Sequence, residues 1–154
     1  MAANTETHTI FEALRADHQI QRDFIDQLVE TVGDSDDRSE VFVDLRRELQ
    51  SHAAAEERYF YVPLMESDTT QDTARHSVAE HKELDDFVEQ LEQYDMGGSQ
   101  WLQTARELRK RLLHHLDEEE HEVFQLAGKV LSETDKRRLA DDYASDMRRH
   151  RKEN

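Results

Sequence analysis

Six residues of this chain have the types and spacing to hold metal ions: His18, His52, Glu56, His81, His115 and Glu119. They form two copies of one pattern. In each copy a second His follows the first by 34 positions, and a Glu follows the second by four. The copies are offset by 63 residues, His18 to His81, His52 to His115 and Glu56 to Glu119. Their flanks repeat too: Leu45-Arg46-Arg47 recurs as Leu108-Arg109-Lys110, and Glu56-Glu57 as Glu119-Glu120. A His and a Glu four apart share one face of an α-helix. One such pair alone is ordinarily solvated, and a lone inward His is ordinarily a satisfied core residue. Here four apolar stripes each carry one His, two carry a Glu one turn on, and none carries a Lys or Arg. Two carboxylates buried without partners would cost several kcal/mol per ion. Coordination of a metal by imidazole nitrogen and carboxylate oxygen offsets that cost.

The six residues divide into two sets of two His and one Glu, with the Glu either shared or split between them. Two divalent ions bring four positive charges and two Glu return only two negative ones. Outside ligands must supply the rest, so the sites are coordinatively open. Cysteine-free sites of two His and a carboxylate with open positions suit iron and O2 chemistry.

The elements that must position these residues are helices. The chain of 154 residues has one Pro and four Gly, which favours an all-α fold over a β-rich one. Thr9 with Glu12 reads as a capping box opening a first helix, with Phe11, Leu14, His18, Ile25, Leu28, Val29 and Val32 on its stripe. A second helix is expected from about Ser39 to Val62, carrying Val41, Leu45, Leu49, His52, Glu56, Tyr59 and Pro63 inward, with Pro63 kinking or ending it. A third is expected from about Thr70 to Tyr94, with Ala74, Ser77, Val78, His81, Leu84, Val88 and Leu91 inward. Gly97-Gly98-Ser99 is the clearest breaker, and Ser99 is expected to cap a fourth helix running to about Val130. Its inward residues are Leu102, Ala105, Leu108, Leu112, His115, Glu119, Val123 and Leu126. A short fifth helix follows, about 132–150, with Leu139, Tyr143 and Met147 on one side and a basic, solvated end. The expected architecture is an up-down-up-down four-helix bundle, core about 9–130, within a single domain spanning 1–154. The 63-residue repeat relates its two hairpins by a pseudo-two-fold axis.

The chain has no cysteine, which excludes disulfides and cysteine-ligated iron–sulfur clusters. Its net charge of −16 argues against nucleic-acid binding. No apolar run approaches a membrane span and the N-terminus lacks a signal-peptide pattern, so a cytoplasmic location is expected. Oligomeric state is not encoded in any feature of the sequence.

The order H … HxxxE … H … HxxxE resembles the hemerythrin-like family, the HHE cation-binding domain. The stretches His52-Ala-Ala-Ala-Glu56-Glu57-Arg-Tyr-Phe-Tyr and His115-Leu-Asp-Glu-Glu119-Glu120-His-Glu-Val-Phe are similar to its signature H-x-x-x-E-E followed by an aromatic. The resemblance runs from about His18 to Phe124. It implies a non-haem centre of two iron ions with an oxo or hydroxo bridge, held by His18, His52, Glu56, His81, His115 and Glu119. It implies O2, peroxide or nitric oxide as small-molecule partners. The oxygen-carrying members have a further His four before the third-helix His, where this chain has Ser77, and an Asp five after the fourth-helix His, where it has Glu120. These departures imply a more open, more symmetric centre, like that of members reacting with peroxide or nitric oxide. Iron storage, or iron or oxygen sensing without turnover, is the alternative.

The remaining candidates are weaker. His76, His114 and His121 are expected to face outward, and His8 and His150 are terminal. Tyr59 is expected inward, within reach of donating a hydrogen bond to the centre, though a plain core tyrosine is the simpler reading. Glu57 and Glu120 are expected to be solvated or to support the ligands from outside. Phe60, Tyr61 and Phe124 read as core.

Overall fold

A computed structural model describes residues 8–153. It is all-helical, with no strand among the described residues. The first helix, α1 (Ile10–Glu30), starts where the Thr9 hydroxyl accepts from the Glu12 N–H at 3.4 Å. Gly33 takes φ of 64° in the turn that follows, a left-handed conformation that glycine adopts without a Cβ clash. The second helix, α2 (Asp36–Glu56), starts three residues before the expected Ser39. Ser35 caps it, accepting from the Arg38 N–H at 3.2 Å, and Asp36 and Asp37 occupy the first turn, where the helix dipole favours negative charge. The helix continues through a π-helical turn (Glu57–Tyr61) into a last α-turn (Val62–Met65), so Pro63 lies within it rather than at its end.

Two long helices, α3 (Gln71–Gln93) and α4 (Ser99–Glu118), form the second hairpin. Gly98 and not Ser99 is the N-cap of α4, with extended backbone and no capping side chain. A second π-turn (Glu119–Val123) and a final α-helical stretch (Phe124–Val130) prolong α4 as the first π-turn prolongs α2. The fifth helix, α5 (Glu133–Glu153), starts with the Ser132 hydroxyl accepting from the Asp135 N–H. It lies across α1 and α2, while α1 also packs on α4 and α3 on α4. Leu139, Tyr143 and Met147 of α5 are buried as the sequence predicts. Its end is not wholly solvated: Arg151 binds Asp17 at 3.0 Å and Glu48 at 2.7 Å. Val32, expected on the first inward stripe, lies past the end of α1 and is 84% exposed.

Two apolar clusters fill the bundle. One gathers Ile10, Leu14, Phe60, Leu64, Phe124 and Met147, and the other Ile25, Leu28, Leu45, Leu91, Trp101 and Leu108. Along α1 the buried sequence runs Ile10, Leu14, then Asp17, His18, Gln21, then Ile25, Leu28, so a polar layer separates the clusters. The fold thereby holds its buried polar groups between two dry regions, where an unpaired charge is most costly. No helix among the described residues is long and apolar enough to cross a membrane.

Candidate metal centre

The structure brings all six sequence-predicted residues together in this polar layer. His18 comes from α1, His52 and Glu56 from α2, His81 from α3, His115 from α4, and Glu119 from the π-turn after it. None is more than 8% exposed. Each first-position His meets the glutamate of the opposite repeat: His18 Nε2 is 3.0 Å from Glu119 Oε1, and His81 Nε2 is 3.0 Å from Glu56 Oε1. Each second-position His stands over its own helix's glutamate, His52 at 3.4 Å and His115 at 3.6 Å. Donor atoms of His18, His52, Glu56 and Glu119 all lie within 4.8 Å of one another, as do those of Glu56, His81, His115 and Glu119. Both glutamates belong to both groups. Of the two arrangements open at the level of sequence, the geometry is therefore that of shared carboxylates.

These residues fit bound cations. All four Nε2 atoms, both oxygens of Glu56 and Oε1 of Glu119 are buried and make no hydrogen bond of acceptable geometry. Buried polar atoms are ordinarily satisfied, so seven orphans converging on one point call for a ligand to them.

The opposite nitrogen of each imidazole is held. His18 Nδ1 pairs with Glu120 at 2.7 Å and His81 Nδ1 with Glu57 at 2.8 Å. Glu57 and Glu120 are repeat equivalents, and they support the histidines from outside. The second-position histidines break the symmetry. His115 Nδ1 pairs directly with Glu80 at 2.8 Å. The residue equivalent to Glu80 is Asp17, one methylene shorter. There Tyr143 of α5 fills the gap: its hydroxyl donates to Asp17 at 2.6 Å and lies 2.6 Å from His52 Nδ1. Because the phenolic proton points to Asp17, His52 Nδ1–H donates to the phenolic oxygen. In all four cases the Nδ1 contact turns Nε2 toward the centre, as outer partners of metal-bound histidines do.

The cluster holds its own protons unevenly. Burial works against the imidazolium of His81, but the carboxylates of Glu56 and Glu57 raise its pKa to about 9. Burial likewise opposes charge on His18, and Glu119, Glu120 and Glu56 raise it well above its ordinary value. Burial lowers His52 below its ordinary value, the nearby Glu56 notwithstanding. Burial and the charge of Glu56 hold Glu119 well above the usual carboxylate range, and Tyr61 donates a hydrogen bond to its Oε2. Burial would raise Glu120, yet His18 and Arg22 pull it down to about 2.

The π-turns correct the sequence reading after each glutamate. A widened turn advances the inward positions by one residue. Phe60, Tyr61 and Leu64 therefore face in, while Tyr59 is only half-buried. Tyr61, read as plain core, supplies the hydroxyl at the centre, and Tyr59, for which a plain core tyrosine is the simpler sequence reading, does not reach full burial. In the second repeat Val123, Phe124 and Ala127 are buried, and Leu126, expected inward, is half-buried. The equivalent of Tyr61 is Phe124, whose ring stacks on His18 with centroids 6.1 Å apart. The signal was present: the large apolar residues after Glu56 sit at 60, 61 and 64, out of phase with the stripe before it.

The centre opens on one side. A cavity of about 440 Å³ lies between α2 and α3, and His52, His81, His115 and Gln21 line it along with Leu49, Ala53, Val78 and Leu84. The amide nitrogen of Gln21 is buried there without a partner. The repeat-related face, between α4 and α1, is closed. There Arg22 spans Asp117 at 3.2 Å and Glu120 at 3.0 Å, and Leu116 is fully buried. Their equivalents on the open face are Asp85 for Arg22, Ala54 for Asp117 and Ala53 for Leu116, which neither bridge nor fill.

The other histidines lie outside this cluster. His76, His114 and His121 are exposed, as predicted. Ser77 is buried one turn before His81 and adds no imidazole.

A comparison with curated proteins finds none similar to this chain. Among solved structures, the crystal structure of a hemerythrin HHE cation-binding domain-containing protein from Mycobacterium kansasii is similar, with a TM-score of 0.85 and 20% identity, covering 94% of this chain and 88% of that one. The family described as the hemerythrin HHE cation binding domain matches residues 9–127, a stretch that holds all six clustered residues and both π-turns. With that match over most of its length, the chain belongs to the hemerythrin HHE cation-binding domain family.

Proposed function

We propose that His18, His52, Glu56, His81, His115 and Glu119 hold two iron ions, joined by an oxo or hydroxo bridge, and that the protein reacts there with O2, peroxide or nitric oxide. The observation that carries this reading is the pair of four-residue groups sharing Glu56 and Glu119. Each group offers two imidazoles and two carboxylate oxygens, with no thiolate, a donor set suited to iron. Iron so held supplies one-electron redox chemistry and open positions for a small ligand. The protein's own part is positional. The Nδ1 partners fix each imidazole with its lone pair inward. Tyr61 puts a hydroxyl beside the donor atoms, and Gln21 puts an amide in the cavity that His52, His81 and His115 line. The apolar cluster on either side keeps bulk water from the layer, and the α2–α3 cavity admits small molecules. Ser77 in place of an imidazole leaves one more exchangeable position, which favours reaction and release over stable O2 carriage.

Stopped-flow mixing of the reduced, iron-loaded protein with air-saturated buffer, peroxide or nitric oxide tests this reading. Oxidation in air that argon does not reverse is expected, with consumption of peroxide or nitric oxide. A stable oxygenated spectrum that reverses fully on purging, without activity toward either reagent, would show an O2 carrier instead. A single stoichiometric oxidation, with no catalytic turnover of any reagent, would indicate an iron store or sensor. The same instrument reads the access route. Ala53→Leu copies the closed face and is expected to slow ligand entry about tenfold, equivalent to a barrier of roughly 1.4 kcal/mol. An unchanged entry rate would mean that ligands reach the centre by another path.

A further inference from the structure

A second pair of His–Glu steps lies on the outer faces of α3 and α4. His76 and Glu80 stand one turn apart on α3, and His114 and Glu118 one turn apart on α4. They meet across the helix pair. His76 Nε2 is 3.5 Å from Glu80 Oε2 and 3.3 Å from Glu118 Oε1, and one donor atom from each of the three residues lies within 4.8 Å of the other two. His114 Nε2 is 3.0 Å from the other oxygen of Glu118.

These separations are wider than those of direct charge-assisted pairs. A charge-assisted hydrogen bond closes to about 2.7–2.9 Å. Donors bound to one cation at about 2.0–2.2 Å, spread at tetrahedral or octahedral angles, stand roughly 3–3.5 Å apart. The His76–Glu80 step of 3.5 Å matches the buried His52–Glu56 and His115–Glu119 steps of 3.4 and 3.6 Å. The group is not a by-product of the duplication. The equivalents of His76, Glu80, His114 and Glu118 in the first repeat are Ala13, Asp17, Ser51 and Ala55, which cannot form it.

We propose that His76, Glu80 and Glu118 form a surface site for a divalent first-row cation, with His114 beside it on the free oxygen of Glu118. One imidazole and two carboxylates without a thiolate select ions such as zinc, ferrous iron or manganese over soft cuprous copper. The two carboxylates are mostly shielded, with side chains 14% and 23% exposed, and the imidazole of His76 is 59% exposed. A cation therefore reaches the site from solvent and meets carboxylates already held in place. The net charge of −16 raises the local concentration of cations around the chain. Glu80 joins this site to the buried centre, because its other oxygen accepts from His115 Nδ1–H.

Zinc titration of the full chain, with bound metal counted after equilibrium dialysis, tests the proposal. Wild type is expected to bind one zinc per chain more than either His76→Gln or Glu118→Gln, whatever fills the buried centre. The difference in count is thus independent of the reading of that centre. Neither side chain belongs to the apolar clusters, and both substitutions keep a polar group of similar size, so the variants are expected to fold, which thermal unfolding checks. In the zinc-loaded wild type the ring resonances of His76 are expected to shift at the extra step, while those of the exposed His121 stay put. Equal zinc counts in wild type and both variants, or an unmoved His76 resonance at excess zinc, would overturn the proposal.

Discussion

His52→Ala and His115→Ala are each expected to lose buried metal and roughly 3–5 kcal/mol of stability together, because each leaves a fully buried glutamate with a broken partner set. Glu56 and Glu119 are 0% and 1% exposed and lie next to these imidazoles at 3.4 and 3.6 Å. Metal binding and folding draw on the same donors, so the losses are linked. Metal analysis paired with urea unfolding reads both quantities on one sample. His114→Ala is the internal control: its side chain is 67% exposed and its ring faces Glu118, so the buried metal should stay. If His114→Ala lost the buried metal while His115→Ala kept it, the placement of His115 at the centre would be wrong.

Tyr143→Phe is expected to weaken metal binding by about 10–100-fold, the usual effect of removing an outer partner of a ligating histidine. The phenolic oxygen accepts from His52 Nδ1–H, and without it that N–H is buried and unpaired, a cost of about 1–3 kcal/mol. The repeat supplies a rescue. Glu80 reaches His115 unaided where Asp17 needs Tyr143 to reach His52. Adding Asp17→Glu to Tyr143→Phe copies the second half of the molecule onto the first, and a partial recovery of affinity is expected. Competition against a chelator of known strength measures all three proteins. Unchanged affinity in Tyr143→Phe would mean that α5 has no part in holding His52.

The helices and the six clustered residues were legible in the sequence because both leave a periodic record. Apolar residues at helical spacing mark each inward face, and His and Glu at those positions stand out as polar intruders. The 63-residue offset identified the set as one constellation rather than six accidents. The sharing of Glu56 and Glu119 was not legible, since it depends on how two hairpins face each other. The π-turns are not legible as such because a change from an i→i−4 to an i→i−5 hydrogen bond alters no residue type. Its trace is a one-residue slip of the inward stripe, from Tyr59 to Phe60 and Tyr61. The stripe of Leu139, Tyr143 and Met147 on one side of α5 is legible in the sequence, but the task of Tyr143 follows from the short side chain of Asp17, 126 residues away. The role of Arg151 is hidden within a basic tail that reads as solvated, because its partners, Asp17 and Glu48, are equally remote.

We propose that two metal ions share one buried donor set in each chain. Anaerobic loading with ferrous iron, followed by oxidation, desalting, metal analysis and an optical spectrum, tests it most directly. Two sets of donors predict about two iron per chain, with near-ultraviolet charge-transfer bands from bridged iron. One iron per chain, or none, after the same treatment would contradict it.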